Sequence, residues 1–153
     1  MSDLTIDLAD DDDREWCAGL MASNEPWITL GRDVTACRAY CHAPQFVTLI
    51  ARRNGERCGC LLLHPTGLAG SPYIASVATH PTARGQGIGS KLLEAAESRD
   101  PDARHIFLCV SSFNSRAQRL YERLGYTKAG EFPNYVITGA SEILMYKRLV
   151  RLS

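Results

Sequence analysis

Apolar and polar residues alternate from Leu4 to Leu8, a period of two that predicts a short strand. From Asp11 to Ala22 the period becomes helical, with Trp16, Leu20 and Met21 on the inner side, and Asn24-Glu25-Pro26 breaks it. Asp33 is the predicted N-cap of a second helix that runs to Cys41 and is closed by Pro44. Phe46 to Arg53 reads as a strong strand, Asn54-Gly55 as a two-residue hairpin, and Arg57 to His64 as the returning strand. Pro65 to Gly70 reads as loop and Pro72 to Thr79 as a further strand ended by His80-Pro81. Ile88 to Arg99 is helical, with Ile88, Leu92, Ala95 and Ala96 on one face, and Asp100-Pro101 stops it. Ile106 to Val110 is continuously apolar, which predicts a central strand.

Ser115 to Leu124 carries the second strong helical pattern, with Ala117, Leu120, Tyr121 and Leu124 on one face. Ser115 and Gln118 have capping-box spacing, and Gly125 suits the position just past the helix end. Tyr126 to Glu131 and Glu142 to Leu149 complete the strands, separated by a loop with Pro133, Asn134 and Gly139. The order β-α-α-β-β-β-α-β-α-β-β predicts an α/β (α+β) fold. Helices flank a mixed, mainly antiparallel sheet in a single domain over residues 1–153.

Composition narrows the function. The 153 residues are 45% hydrophobic and 22% charged, enough apolar surface for a real core. Formal net charge is zero, so no broad positive field exists and no nucleic-acid partner is expected. Asp10 to Asp13 is read as a solvated helix start, favoured by the N-terminal dipole. No apolar run approaches the ~20 residues of a membrane span. Met1 to Asp13 lacks the regions of a signal peptide, so a cytoplasmic location is expected. The six cysteines are expected as thiols. Neither Cys37, Cys41 and His42 nor Cys58 and Cys60 have the spacing of a zinc framework, and no metal is expected. Cys58 and Cys60, two apart in a strand, are expected to share a face.

The chemistry concentrates at Arg84-Gly85-Gln86-Gly87-Ile88-Gly89-Ser90. Alternate glycines leading into a helix can turn several N–H groups inward, and a helix start adds open donors and partial positive charge, a device for phosphate. A dinucleotide fold wants Gly-x-Gly-x-x-Gly and an acid about twenty positions on. Here Ser90 takes the last glycine's place and His105 stands near the acid's. A Walker loop wants Gly-Lys-Ser/Thr, but Lys91 follows the serine. A bare tight turn between strand and helix is the remaining alternative.

One pattern is filled: Arg/Gln-x-x-Gly-x-Gly/Ala by Arg84, Gly87 and Gly89, followed by Asn114, Ala117, Leu120, Tyr121, Gly125 and Tyr126 at the expected distance. With these the chain resembles the GNAT superfamily of N-acetyltransferases from Phe46 to Tyr126. The resemblance implies acetyl-CoA as co-substrate, with a pyrophosphate held by the amides of Gln86, Gly87, Ile88, Gly89 and Ser90, beside Gly85 and Arg84. It implies that Val77, Ala78 and Thr79 pair with the pantetheine arm where their strand splays from Ile106 to Val110. Asn114 would bond the same arm or serve only as a helix-start residue.

Tyr121 matches the family's general acid, against the alternative of a core aromatic. A phenol with a pKa near ~10 is protonated at neutral pH and can donate to a leaving thiolate. The reaction implied is direct attack of a neutral amine on the thioester carbonyl, with the Val77 amide as oxyanion donor. The family's usual basic carboxylate falls at Ala75, which has none. Glu25, Tyr73, Glu131 and Glu142 stay open as bases. Glu25, Trp27 and Tyr40, with Phe132 to Tyr135, are the expected acceptor walls. The acceptor is a small-molecule or a protein or peptide amine, and a homodimer is left open. The alternatives are a non-catalytic acyl-CoA-binding or sensor domain, and an interaction module whose loop binds nothing.

Overall fold

The computed structural model describes residues 3–150. Seven strands form one sheet: β1 (Leu4–Leu8), β2 (Val47–Arg53), β3 (Glu56–Leu68), β4 (Ser71–Thr79), β5 (His105–Ser111), β6 (Thr127–Pro133) and β7 (Ser141–Arg148). Their spatial order is β1-β2-β3-β4-β5-β7-β6. Every neighbouring pair is antiparallel except β4 and β5. Helices α1 (Asp11–Ala22) and α2 (Val34–Cys41) cover one face, and α3 (Ile88–Ser98) and α4 (Ser115–Arg123) the other. The mixed, mainly antiparallel architecture expected from the sequence is the one observed. No helix among the described residues is long and apolar enough to cross a membrane.

The two cores explain the periodicities. On one face Leu61, Leu63 and Ile106 pack against Ile88, Leu92 and Leu93 of α3. Each such side chain, fully buried, contributes about 1.5–3 kcal/mol. Gly59 permits the close approach of α3, since a Cβ there would lie 2.8 Å from Ile88 Cγ2 and 3.0 Å from the Ala78 carbonyl. On the other face Ile50, Cys60 and Leu62 pack against Cys17, Leu20 and Met21 of α1 and Cys37 and Cys41 of α2.

Three local expectations are corrected. The expected loop at Pro65 is strand as far as Leu68, and the turn is confined to Ala69 and Gly70, both left-handed (φ 50° and 81°). Cys58 and Cys60 do not share a face: Cys58 packs with the α3 core and Cys60 with the α1 core. The cause is a bulge. Ala51 pairs with Gly59 and Arg52 with Arg57, so Cys58 is an extra residue that resets the alternation.

Asp13, third, is not solvated. Its side chain is 2% exposed, and one oxygen accepts from Arg52 at 2.5 Å and Arg57 at 2.7 Å. The other accepts from the Asp10 amide, closing a capping box with Asp10. Burial pushes the Asp13 carboxyl up, but the Asp10 amide and the two guanidiniums outweigh it and hold the pKa at about 2. The pair ties α1 to the β2–β3 hairpin.

Candidate active site

The site begins where two parallel strands part. β4 and β5 pair at Tyr73 with Phe107 and at Ile74 with Leu108. Beyond that, β4 follows β3 to Thr79 and β5 follows β7 to Ser111. A bulge marks the parting: Leu63 pairs with Ile74 and Leu62 with Ser76, leaving Ala75 extra. The bulge turns Ala75 and Ser76 to the same side and returns Val77 to the α3 side. His80 donates its amide to the Cys58 carbonyl at 2.8 Å. Counting back along the antiparallel ladder, the amides of Val77 and Thr79 face away from β3, into the gap.

The gap opens onto the glycine turn. Gly85 and Gly87 both have φ of 78°, a left-handed backbone that other residues adopt at a cost. Gly87 is the N-cap of α3 and brings no side chain, so the first amides of α3 stay open. At either glycine a Cβ would meet no atom within 4 Å. The turn therefore faces open space.

A cleft of about 630 Å³ lies there. Val77, Ala78 and Thr79 form one wall; Arg84, Gly85, Gly87, Ile88, Gly89 and Ser90 form the floor; Asn114 and Tyr121 face them from α4. Gln86 stands apart. Its side chain bonds to Arg53 and to the Thr82 carbonyl, outside this cleft. Arg84 donates to Asn24 Oδ1 at 3.2 Å, which joins the turn to the segment after α1.

Tyr121 is buried on the apolar side of α4, yet it lines the cleft. Burial pushes its hydroxyl pKa up to about 12, so it holds its proton across the physiological range. Its backbone is fixed by a Schellman cap: Gly125, with φ of 97°, donates to Glu122 O at 3.1 Å, and Tyr126 donates to Tyr121 O at 2.9 Å. The N-terminal cap of α4 is Asn114, one residue earlier than the expected Ser115, and its Oδ1 accepts from the Ala117 amide at 3.3 Å. The Asn114 amide group remains as a donor at the cleft wall. Gln118 bonds instead to the carbonyls of Ser111 and Ser112.

Three residues that sequence reading missed, Arg116, Arg119 and Arg123, also line the cleft. Their spacing of three and four was the available signal, since it puts all three on one side of α4.

A second cleft, of about 470 Å³, opens on the other side of the bulge. Ala75, Ser76 and Tyr73 supply its sheet wall, Tyr40 its α2 wall, and Phe132 and Tyr135 its outer wall. The Tyr40 hydroxyl donates to the Ala75 carbonyl at 3.2 Å, latching α2 onto the bulge. Trp27 reaches both clefts, whereas Glu25 reaches only the first. Both Glu25 oxygens accept from Thr29, whose hydroxyl and amide hold the carboxyl below its ordinary range. Glu131 is exposed and paired with Lys128 at 2.6 Å. Burial, then a hydrogen bond with Cys109, pushes the Tyr73 hydroxyl far up. Glu142 lines the second cleft, with Oε2 accepting from the Ser111 hydroxyl at 2.6 Å.

A splayed parallel pair, a glycine turn at a helix start and a tyrosine facing it lie together along the first cleft. Residues 7–126 match the Acetyltransferase (GNAT) family, and the chain belongs to it. An uncharacterised N-acetyltransferase of Methanocaldococcus jannaschii is 35% identical over 82 residues, 52% of this chain and 53% of that one. A blasticidin-S acetyltransferase of Streptomyces morookaense is 38% identical over 71 residues, 44% of this chain and 49% of that one. The matches thus span about half the length of these two relatives. An aminoglycoside 6′-N-acetyltransferase solved with coenzyme A shares the fold at a TM-score of 0.78 and 16% identity, over 97% of this chain and 99% of that one.

Proposed function

We propose that this chain is an acetyl-CoA-dependent N-acetyltransferase that moves an acetyl group to a primary amine by direct attack. One observation carries the reading: the gap between β4 and β5 runs onto open amides at the glycine turn, with the Tyr121 ring beside it. The donors fit acetyl-CoA. The first amides of α3, with Arg84, suit a pyrophosphate. The Val77 and Thr79 amides suit an amide-bearing arm laid in as an added strand. When bound, the thioester supplies an activated acyl carbon.

The chain's own groups do the rest. The Val77 amide donates to the carbonyl oxygen as charge builds there. The Tyr121 hydroxyl gives its proton to the departing sulfur as the carbon–sulfur bond breaks. The amine enters by the second cleft and passes its proton to Glu142. Of the four groups considered as base, Glu25 has both oxygens on Thr29, Glu131 pairs with Lys128 and lines neither cleft, and Tyr73 holds its proton too tightly, whereas Glu142 lines the second cleft with only Oε2 engaged by Ser111. The relative named for blasticidin S supports a small-molecule acceptor.

A thiol-release assay with acetyl-CoA and a panel of amines tests the reading. Amine-dependent thiol release is expected; acetyl-CoA binding without turnover of any amine would replace it with a non-catalytic acyl-CoA-binding domain. That second reading draws on Ala75, which leaves the bulge without a carboxylate.

A further inference from the structure

The second cleft carries a charge arrangement that the acetyl-transfer chemistry does not require. Among its described lining residues only two are charged, Glu142 and Arg32. Glu142 rises from β7 against Ser111 of β5, next to the parting strands. Arg32 sits on the exposed segment before α2. Its backbone is pinned at both ends: its amide donates to the Trp27 carbonyl at 2.9 Å, and its carbonyl accepts from Cys37 Sγ at 3.8 Å. Among the described residues its guanidinium pairs with no carboxylate. Its charge is felt by Tyr40 and Cys37, where it opposes the upward push of burial on both groups. The same cleft is lined by the rings of Trp27, Tyr40, Phe132 and Tyr135.

A cleft lined by one carboxylate, one guanidinium and aromatic rings matches a small molecule that carries both an amine and a carboxylate. A polyamine would meet Arg32 as a like charge, and a purely cationic amine would leave it unused. An arginine is also the side chain best shaped to take a carboxylate in two parallel hydrogen bonds. Resting on the acetyltransferase reading, we infer that the acceptor is a zwitterionic, amino-acid-like amine, its amine directed to Glu142 and its carboxylate to Arg32. A cleft of about 470 Å³ is of the size that encloses such a metabolite.

The test uses matched pairs that differ only by the carboxylate: phenylalanine with phenethylamine, tyrosine with tyramine, 5-aminopentanoate with pentylamine. Spermidine and a short peptide are added as competing classes. Thiol release is measured with acetyl-CoA, and kcat/KM is expressed per free-base amine so that differing amine pKa values cancel. The carboxylated member of a pair is expected to win by about tenfold, the size of one charge-assisted contact. In Arg32→Ala that preference is expected to fall towards one, and in Arg32→Lys to be partly kept, with folding checked by circular dichroism.

Equal or better turnover of the decarboxylated amines, of spermidine or of the peptide would overturn this inference and leave the acetyltransferase reading standing. A preference that survives Arg32→Ala would overturn it too. Acetyl-CoA binding in calorimetry with no turnover of any amine would overturn both.

Discussion

The two clefts meet at the Ala75 bulge and are built in opposite ways. The first has a wall and floor of main chain, the amides of Val77 and Thr79, two left-handed glycines and the open start of α3 within one short run of sequence, faced by Asn114, Tyr121 and three arginines from α4. The second is almost wholly side chain, and it gathers Arg32, Tyr40, Tyr73, Phe132 and Glu142 from separate parts of the chain. A main-chain site suits a ligand that never changes, because amides cannot be substituted. A side-chain site can be rewritten residue by residue without disturbing the sheet. One fold can thereby keep its acyl donor and vary its acceptor.

The largest expected effect falls at Tyr121, the side chain on which the main-chain cleft depends. Tyr121→Phe keeps the ring and its 6.1 Å contact with Tyr126. It is expected to lower kcat by about 10²- to 10⁴-fold, the range for a positioned acid. Acetyl-CoA affinity and Tm should hardly move. Turnover near the parent's in steady-state assays would make Tyr121 a core aromatic, while joint loss of affinity and rate would make its hydroxyl a binding group.

Next is Gly87→Asp. With φ of 78° the position strains any side chain, and the new carboxylate would stand over the open amides. Acetyl-CoA affinity is expected to fall by roughly 100-fold, from backbone strain of about 1–2 kcal/mol plus like-charge repulsion. Binding measured by calorimetry on a variant shown to be folded decides it. Unchanged affinity would remove the turn from the cleft and break the contrast between the two sites.

The same contrast explains what could be read from the chain alone. Arg84, Gly87, Gly89, Asn114 and Tyr121 have fixed spacings because a turn and two helix ends fix them, so the first cleft was legible. The expected acceptor walls Trp27, Tyr40, Phe132 and Tyr135 do line the second cleft, but Glu25 does not reach it, and Arg32 went unnoticed. No periodicity marks a residue in an irregular segment as facing a pocket. Bulges were the other blind spot. At Cys58 and Ala75 one added residue reverses the faces of the strand, and a rule of alternation has no means of locating it. Asp13 was misread for a related reason: a run of four acids looks uniformly solvated until two arginines about forty residues away are brought to one of them.

Asp13→Asn asks whether the acceptor side has its own support. α1 carries Met21 into the second cleft, and Asp13 holds α1 to Arg52 and Arg57. The folded pKa, about 2, lies below the ordinary 3.8. The carboxylate therefore stabilises fully above about pH 4, and the contribution is lost as pH falls towards 2. At pH 7 the variant is expected to lose about 2 kcal/mol, or roughly 4–8 °C in Tm. The difference from the parent should shrink in melts run between pH 4 and pH 2. A gap as wide at pH 2.5 as at pH 7 would show that packing, not the charge, holds α1 in place.

The smallest effect, and the one that most sharpens the contrast, is expected at Glu142. If it takes the amine's proton, Glu142→Gln removes the acceptor but keeps the shape and the hydrogen bond that Ser111 donates. An amine can also lose its proton in solution before it binds, so the carboxylate is not indispensable. The expected loss in kcat/KM at pH 7 is therefore only about tenfold, below the usual 10²–10⁴ of acid–base groups. The deficit should narrow as pH rises towards the amine's own pKa, where the free base arrives without help. Acetyl-CoA affinity should stay constant throughout, because Glu142 lies on the other side of the bulge from the glycine turn. A deficit constant with pH would make Glu142 a recognition group for the ammonium form, and a loss of acetyl-CoA affinity would mean that the two clefts are coupled through β5 rather than separately built.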